Sequence, residues 1–160
     1  MNRWFYTQLW RIAPPLIRHY LKKRTVKSPA YLYHWGERFG EPFDRPVQRP
    51  IWVHAVSVGE TRAAQPLVEA LRRHFPDAPL LMTQMTPTGR AAAKELFPDA
   101  QCRYLPYDKP EWVAQFLKEH RPLFGVLMET EIWPNLMHAC ADAHVPLFLA
   151  NARLSEKSQR

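Results

Sequence analysis

The chain has 160 residues and only two cysteines, Cys102 and Cys140, which are far apart and form no CxxC pair. No disulfide framework or cysteine-held zinc is implied, and both thiols are expected to be reduced packing residues. The seven histidines show no HExxH or similar spacing, so no metal site is expected. Neither GxGxxG nor a GxxxxGK phosphate loop occurs, which removes support for dinucleotide or P-loop nucleotide binding. Glycine is scarce, with five against sixteen prolines, and this pattern predicts rigid, sharply stopped connections. No apolar run reaches the ~18–20 residues of a transmembrane helix. A signal peptide is disfavoured because a small-residue cleavage site is missing. No internal repeat and no low-complexity stretch is present.

Acidic residues are missing from residues 1–28, which carry seven of the 22 cations: Arg3, Arg11, Arg18, Lys22, Lys23, Arg24 and Lys27. The remaining fifteen cations are balanced by fifteen acids, so the net charge of +7 belongs to the N-terminal segment alone. A basic nucleic-acid-binding globule would spread its charge over a folded face, and no nucleic-acid partner is expected. The segment is also aromatic, with Trp4, Phe5, Tyr6, Trp10 and Tyr20 among the cations. Trp and Tyr favour the headgroup region and Lys/Arg are drawn to anionic lipid, so residues 1–28 read as a membrane-associating segment. Pro14-Pro15 is expected to break or kink any helix there. Residues 29–50, punctuated by Pro29, Pro42, Pro46 and Pro50, read as a turn-rich linker.

The third region, 51–160, alternates. Apolar strands are expected at Ile51–Val56, Leu80–Met85, Cys102–Leu105, Leu123–Met128 and Val145–Ala150. Helices are expected at Glu60–Phe75, Pro87–Leu96, about Pro110–His120 and Trp133–Ala143. Leu67, Val68, Leu71 and Phe75 form one apolar helical stripe. Strands alternating with helices predict an α/β domain with a Rossmann-like parallel sheet flanked by helices, and near-continuous apolar strands suit a sheet covered on both faces.

Ligands of such sheets sit outside the carboxyl ends of the strands. Ser57-Val58-Gly59-Glu60 follows the first strand, Thr86-Pro87-Thr88-Gly89-Arg90 the second, Glu129-Thr130-Glu131 the fourth and Asn151-Ala152-Arg153 the fifth. The opposite ends carry plain proline turns. Glu60, after Gly59 in a first helical turn, is the sharpest candidate for a base that takes a proton from a sugar hydroxyl, although acids at that position are often structural. Thr86 and Pro87 read as a helix start whose free N–H groups suit an anion or hydroxyl. Glu129 and Glu131 face the same side if the strand continues; otherwise Glu131 becomes a helix-start acid. His54 reads as a satisfied core histidine.

The runs IWVHAVSVGE (51–60), MTPTGR (85–90), YLPYD (104–108), METEIWPN (128–135) and NARLSEKS (151–158), together with Trp35-Gly36-Glu37-Arg38, closely resemble the 3-deoxy-D-manno-oct-2-ulosonic acid (Kdo) transferases of Gram-negative lipopolysaccharide synthesis. The resemblance implies an inverting GT-B glycosyltransferase, of which this chain is the N-terminal, acceptor-side half. It implies transfer of Kdo from CMP-Kdo to a lipid A precursor at the cytoplasmic face of the inner membrane, with no metal and no cofactor. It places the general base on Glu60 and a transition-state role on Glu129 or Glu131. The other rim residues, Ser57, Gly59, Thr86, Thr88, Gly89, Asn151 and Arg153, are expected to bind acceptor. Family enzymes are more than twice as long, so the C-terminal donor domain that holds CMP-Kdo is expected to be absent and the polypeptide inactive by itself. The alternative is a non-catalytic membrane-associated module that binds the lipid A precursor.

Overall fold

A computed structural model of the protein describes residues 3–129 and 132–152. Five parallel strands, β1 (Ile51–His54), β2 (Leu80–Gln84), β3 (Gln101–Tyr104), β4 (Phe124–Met128) and β5 (Leu147–Ala150), form one sheet in the order β3-β2-β1-β4-β5. This is the Rossmann-like arrangement expected from the alternation, with every strand near its expected place. Because chain order reverses beside β1, the carboxyl ends of β1 and β4 flank the crevice where such sheets bind ligands.

Both faces of the sheet are covered over β1 to β4, while the edge strand β5 leaves Phe148 and Leu149 about half exposed. Ile51, Val53 and Met82 point to one side, where Ala64, Val68, Ala93 and Phe97 of the helices after β1 and β2 cover them. Trp52, Leu81 and Leu127 point to the other, against Val113, Phe116, Leu136 and Cys140. Trp52 lies across its neighbour strand: a Cβ on Gly125 would fall 2.5 Å from its ring and 2.7 Å from Leu147, so the glycine makes room for the indole. Cys102 and Cys140 are free and buried, as expected, and burial pushes their thiols up to about 11 and about 12.

Three expectations are corrected. First, residues 3–27 form a single helix, α1, straight through Pro14 and Pro15. Each proline removes one backbone hydrogen bond, but packing holds the helix along its length. Leu21 is buried, Ile17 packs on the same cluster, Arg18 lies 4.7 Å over Phe39, and Trp10 stacks on Tyr107.

Second, residues 29–50 are integrated into the fold rather than acting as a spacer. Within them a 3₁₀ turn (Pro29–Leu32) and a short helix, α2 (Trp35–Arg38), bury Tyr31, Glu37, Arg38 and Phe39. Glu37 receives Arg90 through two hydrogen bonds, at 2.5 and 3.0 Å, and also accepts the Tyr104 N–H at 2.7 Å. Arg38 donates to the Met85 carbonyl and lies 3.6 Å over the Tyr104 ring. A buried charge is tolerable only when paired and hydrogen-bonded. The Glu37–Arg90 pair meets that condition, Arg38 is held by one carbonyl and the Tyr104 ring, and together they fasten α2 to the carboxyl ends of β2 and β3.

Third, the helix expected over Glu60–Phe75 is two helices, α3 (Val58–Ala63) and α4 (Gln65–His74), separated at Ala64. Pro66 sits in the first turn of α4 and has no N–H to continue the ladder. Phe75 falls just past the end, where it meets Phe124 edge-on. The remaining helices are α5 (Pro87–Leu96), α6 (Pro110–His120) and α7 (Pro134–Asp142).

Two histidines are locked inside as neutral rings: burial pushes His54 and His120 down to about 4 from 6.5. As pH falls below 6.5 the unfolded chain binds these protons first, so stability present at neutral pH is lost between about pH 6.5 and 4. By pH 4 the loss is about 3 kcal/mol per histidine. Thermal midpoints should therefore fall steadily from pH 7 to 5, above the carboxylate range. A flat midpoint over that interval would contradict the assignment.

Candidate active site

The chain leaves β1 through Ala55 and Val56 and enters α3 with Ser57 as its first cap. Ser-x-x-Glu is the pattern of a capping box, in which the glutamate reaches back to the backbone. Here the box is turned around. The Ser57 side chain makes no cap bond; its hydroxyl donates to Glu60 Oε1 at 3.0 Å, while the Val56 N–H donates to Oε2 at 2.8 Å. The carboxylate is thus buried and oriented at the carboxyl end of β1, beside the switch-point crevice.

The neighbouring motif docks on the backbone of the same residue. The Val56 carbonyl accepts the Met85 and Thr86 N–H groups at 3.1 and 3.2 Å. Thr86 caps α5 by accepting the Gly89 N–H at 3.0 Å, as expected for a helix start. A Cβ on Gly89 would lie 3.1 Å from the Ser57 carbonyl carbon and 3.2 Å from the Val56 oxygen, so Gly89 serves close approach of the two motifs. Thr88 and Gly59 are exposed on this rim, and so is Asn151, at the end of β5 with a φ of 55°.

On the β4 side the strand stops at Met128, and Glu129 takes a left-handed φ of 59° while its N–H still bonds Ala150 O at 2.8 Å. The strand therefore ends before Glu129. A left-handed conformation costs a non-glycine residue about 1 kcal/mol or more and is found most often at functional sites. Glu131 and Arg153 lie outside the described residues.

The polar inventory drawn from the sequence passes over the end of β3, where Asp108 proves central. It is buried, and its two oxygens accept the Asn135 and Leu136 N–H groups at 3.0 and 2.7 Å, capping α7 from a distance of 27 positions in sequence. Asn135 returns a bond to the Asp108 carbonyl at 2.7 Å and accepts the Thr7 hydroxyl of α1 at 2.8 Å. Burial raises the Asp108 carboxyl above its ordinary value. The only signal for it in the sequence is its place in the YLPYD run, directly after a strand.

His54 lies under the same loop, edge-on to Trp133. Trp52 Nε1 can only donate, and it donates to Thr83 Oγ1 at 2.8 Å; His54 Nδ1 lies 2.9 Å from the same hydroxyl. His54 Nε2 is buried and has no hydrogen-bond partner among the described residues. Among the described residues no group of three His, Cys, Asp or Glu could hold a metal ion.

A family model described as 3-Deoxy-D-manno-octulosonic-acid transferase (kdotransferase) matches residues 33–160. The chain is 40% identical, over 99% of its length, to the 3-deoxy-D-manno-octulosonic acid transferase of Haemophilus influenzae, and covers 38% of that protein. It is 42% identical over its full length to the Bordetella pertussis protein of the same name, covering 39% of it. Identity is 36% to an Arabidopsis thaliana protein described as a probable mitochondrial member, of which it covers 35%. The chain thus spans well under half the length of these relatives.

Gly89→Ala should lower stability by about 1–3 kcal/mol, because the groups its methyl meets include backbone that cannot rotate away. Amide exchange at Val56 should speed up with it. An unchanged thermal midpoint would show that the two motifs are not tightly docked.

Proposed function

The chain belongs to the 3-deoxy-D-manno-octulosonic-acid transferase family, and on that premise we propose that it forms the acceptor side of an inverting GT-B glycosyltransferase of lipopolysaccharide synthesis. The reaction moves Kdo from CMP-Kdo to a hydroxyl of a lipid A precursor. The acceptor oxygen attacks the anomeric carbon of Kdo, the bond from that carbon to the CMP phosphate oxygen breaks, and the acceptor proton passes to Glu60. The observation that carries this reading is the orientation of the Glu60 carboxylate by Val56 N–H and Ser57 O–H at the switch point. A positioned carboxylate of this kind is suited to general-base work. Glu129, on the opposite lip, or Glu131 assists at the transition state. Thr88 and Asn151 offer exposed polar groups to the acceptor, and no cofactor takes part.

The reading extends to the membrane. On α1, Phe5, Leu9, Ile12, Leu16 and Tyr20 are each more than half exposed and follow one helical stripe, opposite the side that packs on the domain. No described helix is long and apolar enough to cross a membrane. An exposed apolar stripe among seven cations suits docking in the headgroup region of the inner membrane's cytoplasmic face, where an anionic lipid acceptor is met.

In a polypeptide of the relatives' full length, Glu60→Gln should cut transfer by a factor of about 10² or more while acceptor binding stays near normal; retained turnover removes Glu60 as base. The 160-residue polypeptide should turn over no CMP-Kdo, since the family holds the CMP-sugar in its C-terminal domain, and turnover by it would overturn the division of labour. Its binding to anionic vesicles should weaken sharply between about 0.05 and 0.5 M salt. Salt-insensitive binding, or binding that survives Leu9→Ser with Leu16→Ser, argues against α1 as the docking element.

A further inference from the structure

Between α6 and α7, on the outer side of the helices that cover Trp52, the surface opens into a groove of about 750 Å³. One end lies at the first turns of the two helices, near Pro110 and Asn135. The other reaches the amino-terminal edge of the sheet, where Arg121-Pro122-Leu123 leads into β4. An 11-residue helix such as α6 is about 16 Å long, so the groove is an elongated channel rather than a compact hole. Ala114, Leu117, Ala139 and Val145 line its floor, and the small alanines keep it open. These groups offer contact to hydrocarbon and no hydrogen bond.

Cations predominate along it. Arg49, Lys118 and Arg121 stand at the amino edge and Arg3 also lines the groove; among the described residues no carboxylate pairs with Arg49, Lys118 or Arg121. The backbone sets two of them side by side. Arg121 ends α6 in a left-handed conformation, φ 48°, and Arg49, φ 52°, donates its N–H to the carbonyl of the preceding His120 at 2.8 Å. The acidic group on the groove, Asp142, is engaged by His138 at 3.3 Å. An apolar channel closed at one end by unpaired guanidinium and ammonium groups complements a ligand that is hydrocarbon along its length and anionic at one end.

We propose that this groove is a binding site for an anionic membrane phospholipid, with one acyl chain along the α6–α7 channel and the phosphate at Arg49, Lys118 and Arg121. The site lies away from Glu60 and does not rest on the transferase reading. It also differs from the exposed stripe of α1, which would meet a bilayer as a surface, whereas this groove takes a single lipid.

The test uses the 160-residue chain and dioctanoyl phosphatidylglycerol below its micelle concentration, with dioctanoyl phosphatidylcholine in parallel, followed by calorimetry and by methyl NMR of Ala114, Leu117 and Ala139. The expected result is saturable one-to-one binding of phosphatidylglycerol that shifts those methyls, with phosphatidylcholine weaker by about tenfold or more. Arg49→Glu with Arg121→Glu should weaken binding by about tenfold or more. Ala114→Trp, at an exposed position where added bulk leaves the core intact, should abolish it. Leu9→Ser with Leu16→Ser on α1 should leave it unchanged. Thermal midpoints of the free variants establish that each is folded. Equal binding of the two lipids, indifference to the charge reversals or to Ala114→Trp, or loss on changing α1 would each overturn the proposal. So would displacement of the lipid by an acidic amphipathic peptide at lower concentration. Loss of lipid binding in a polypeptide of the relatives' full length would show that protein fills the groove, and would overturn it as well.

Discussion

The backbone of Val56 ties the end of β1 to the two helices that follow β1 and β2. Its N–H is held by the Glu60 carboxylate, and its carbonyl takes two N–H groups from Met85 and Thr86. The two peptide units on either side of one residue therefore fix where β1 ends, how α3 begins and how closely α5 approaches. Buried backbone groups must be satisfied somewhere, and here their satisfaction draws two sequence motifs into contact. Glu60 caps that strand end, so the acid in this first helical turn has a structural role whatever else it does.

The layered sheet was legible because each strand is a short apolar run between polar rims, and a parallel sheet buried on both faces demands that pattern. The location of the rim was legible for the same reason. What escaped the sequence depends on partners far apart in the chain. Glu37 and Arg90 are 53 positions apart, and Asp108 and Asn135 are 27 apart; no local period reports either pair. The 29–50 stretch carries the prolines of a linker, yet its burial is decided by the Glu37–Arg90 pair. Likewise Pro14-Pro15 reads locally as a break, and the tertiary contacts of Trp10, Ile17 and Leu21 override it. The left-handed Glu129 could not be foreseen either, since a glutamate does not advertise positive φ as a glycine or an asparagine does.

Charge follows two separate designs. Within the domain, Glu37, Arg90, Arg38, Arg103 and Asp108 are all buried, and each is held by an opposite charge, by backbone groups or by an aromatic face. Burying such groups is expensive unless their geometry is completed, so the cluster specifies one arrangement of α2, β3 and the loop before α7. On α1 the cations stand mostly in solvent and are not balanced within their own segment.

These designs meet at Asn135. Its side chain accepts Thr7 of α1, and its backbone is capped by Asp108 at the start of α7, directly after the loop that contains Glu129. Burial also pushes Tyr6, which bonds Asp108, up to about 12, so its hydroxyl stays protonated and available as a donor. The helix with the exposed apolar stripe is thus hydrogen-bonded to the structure that positions one lip of the crevice. A helix serving only as a tether would need no such connection. Because α1 grips Asp108 and Asn135 through specific polar contacts, its orientation and that of the crevice are fixed together.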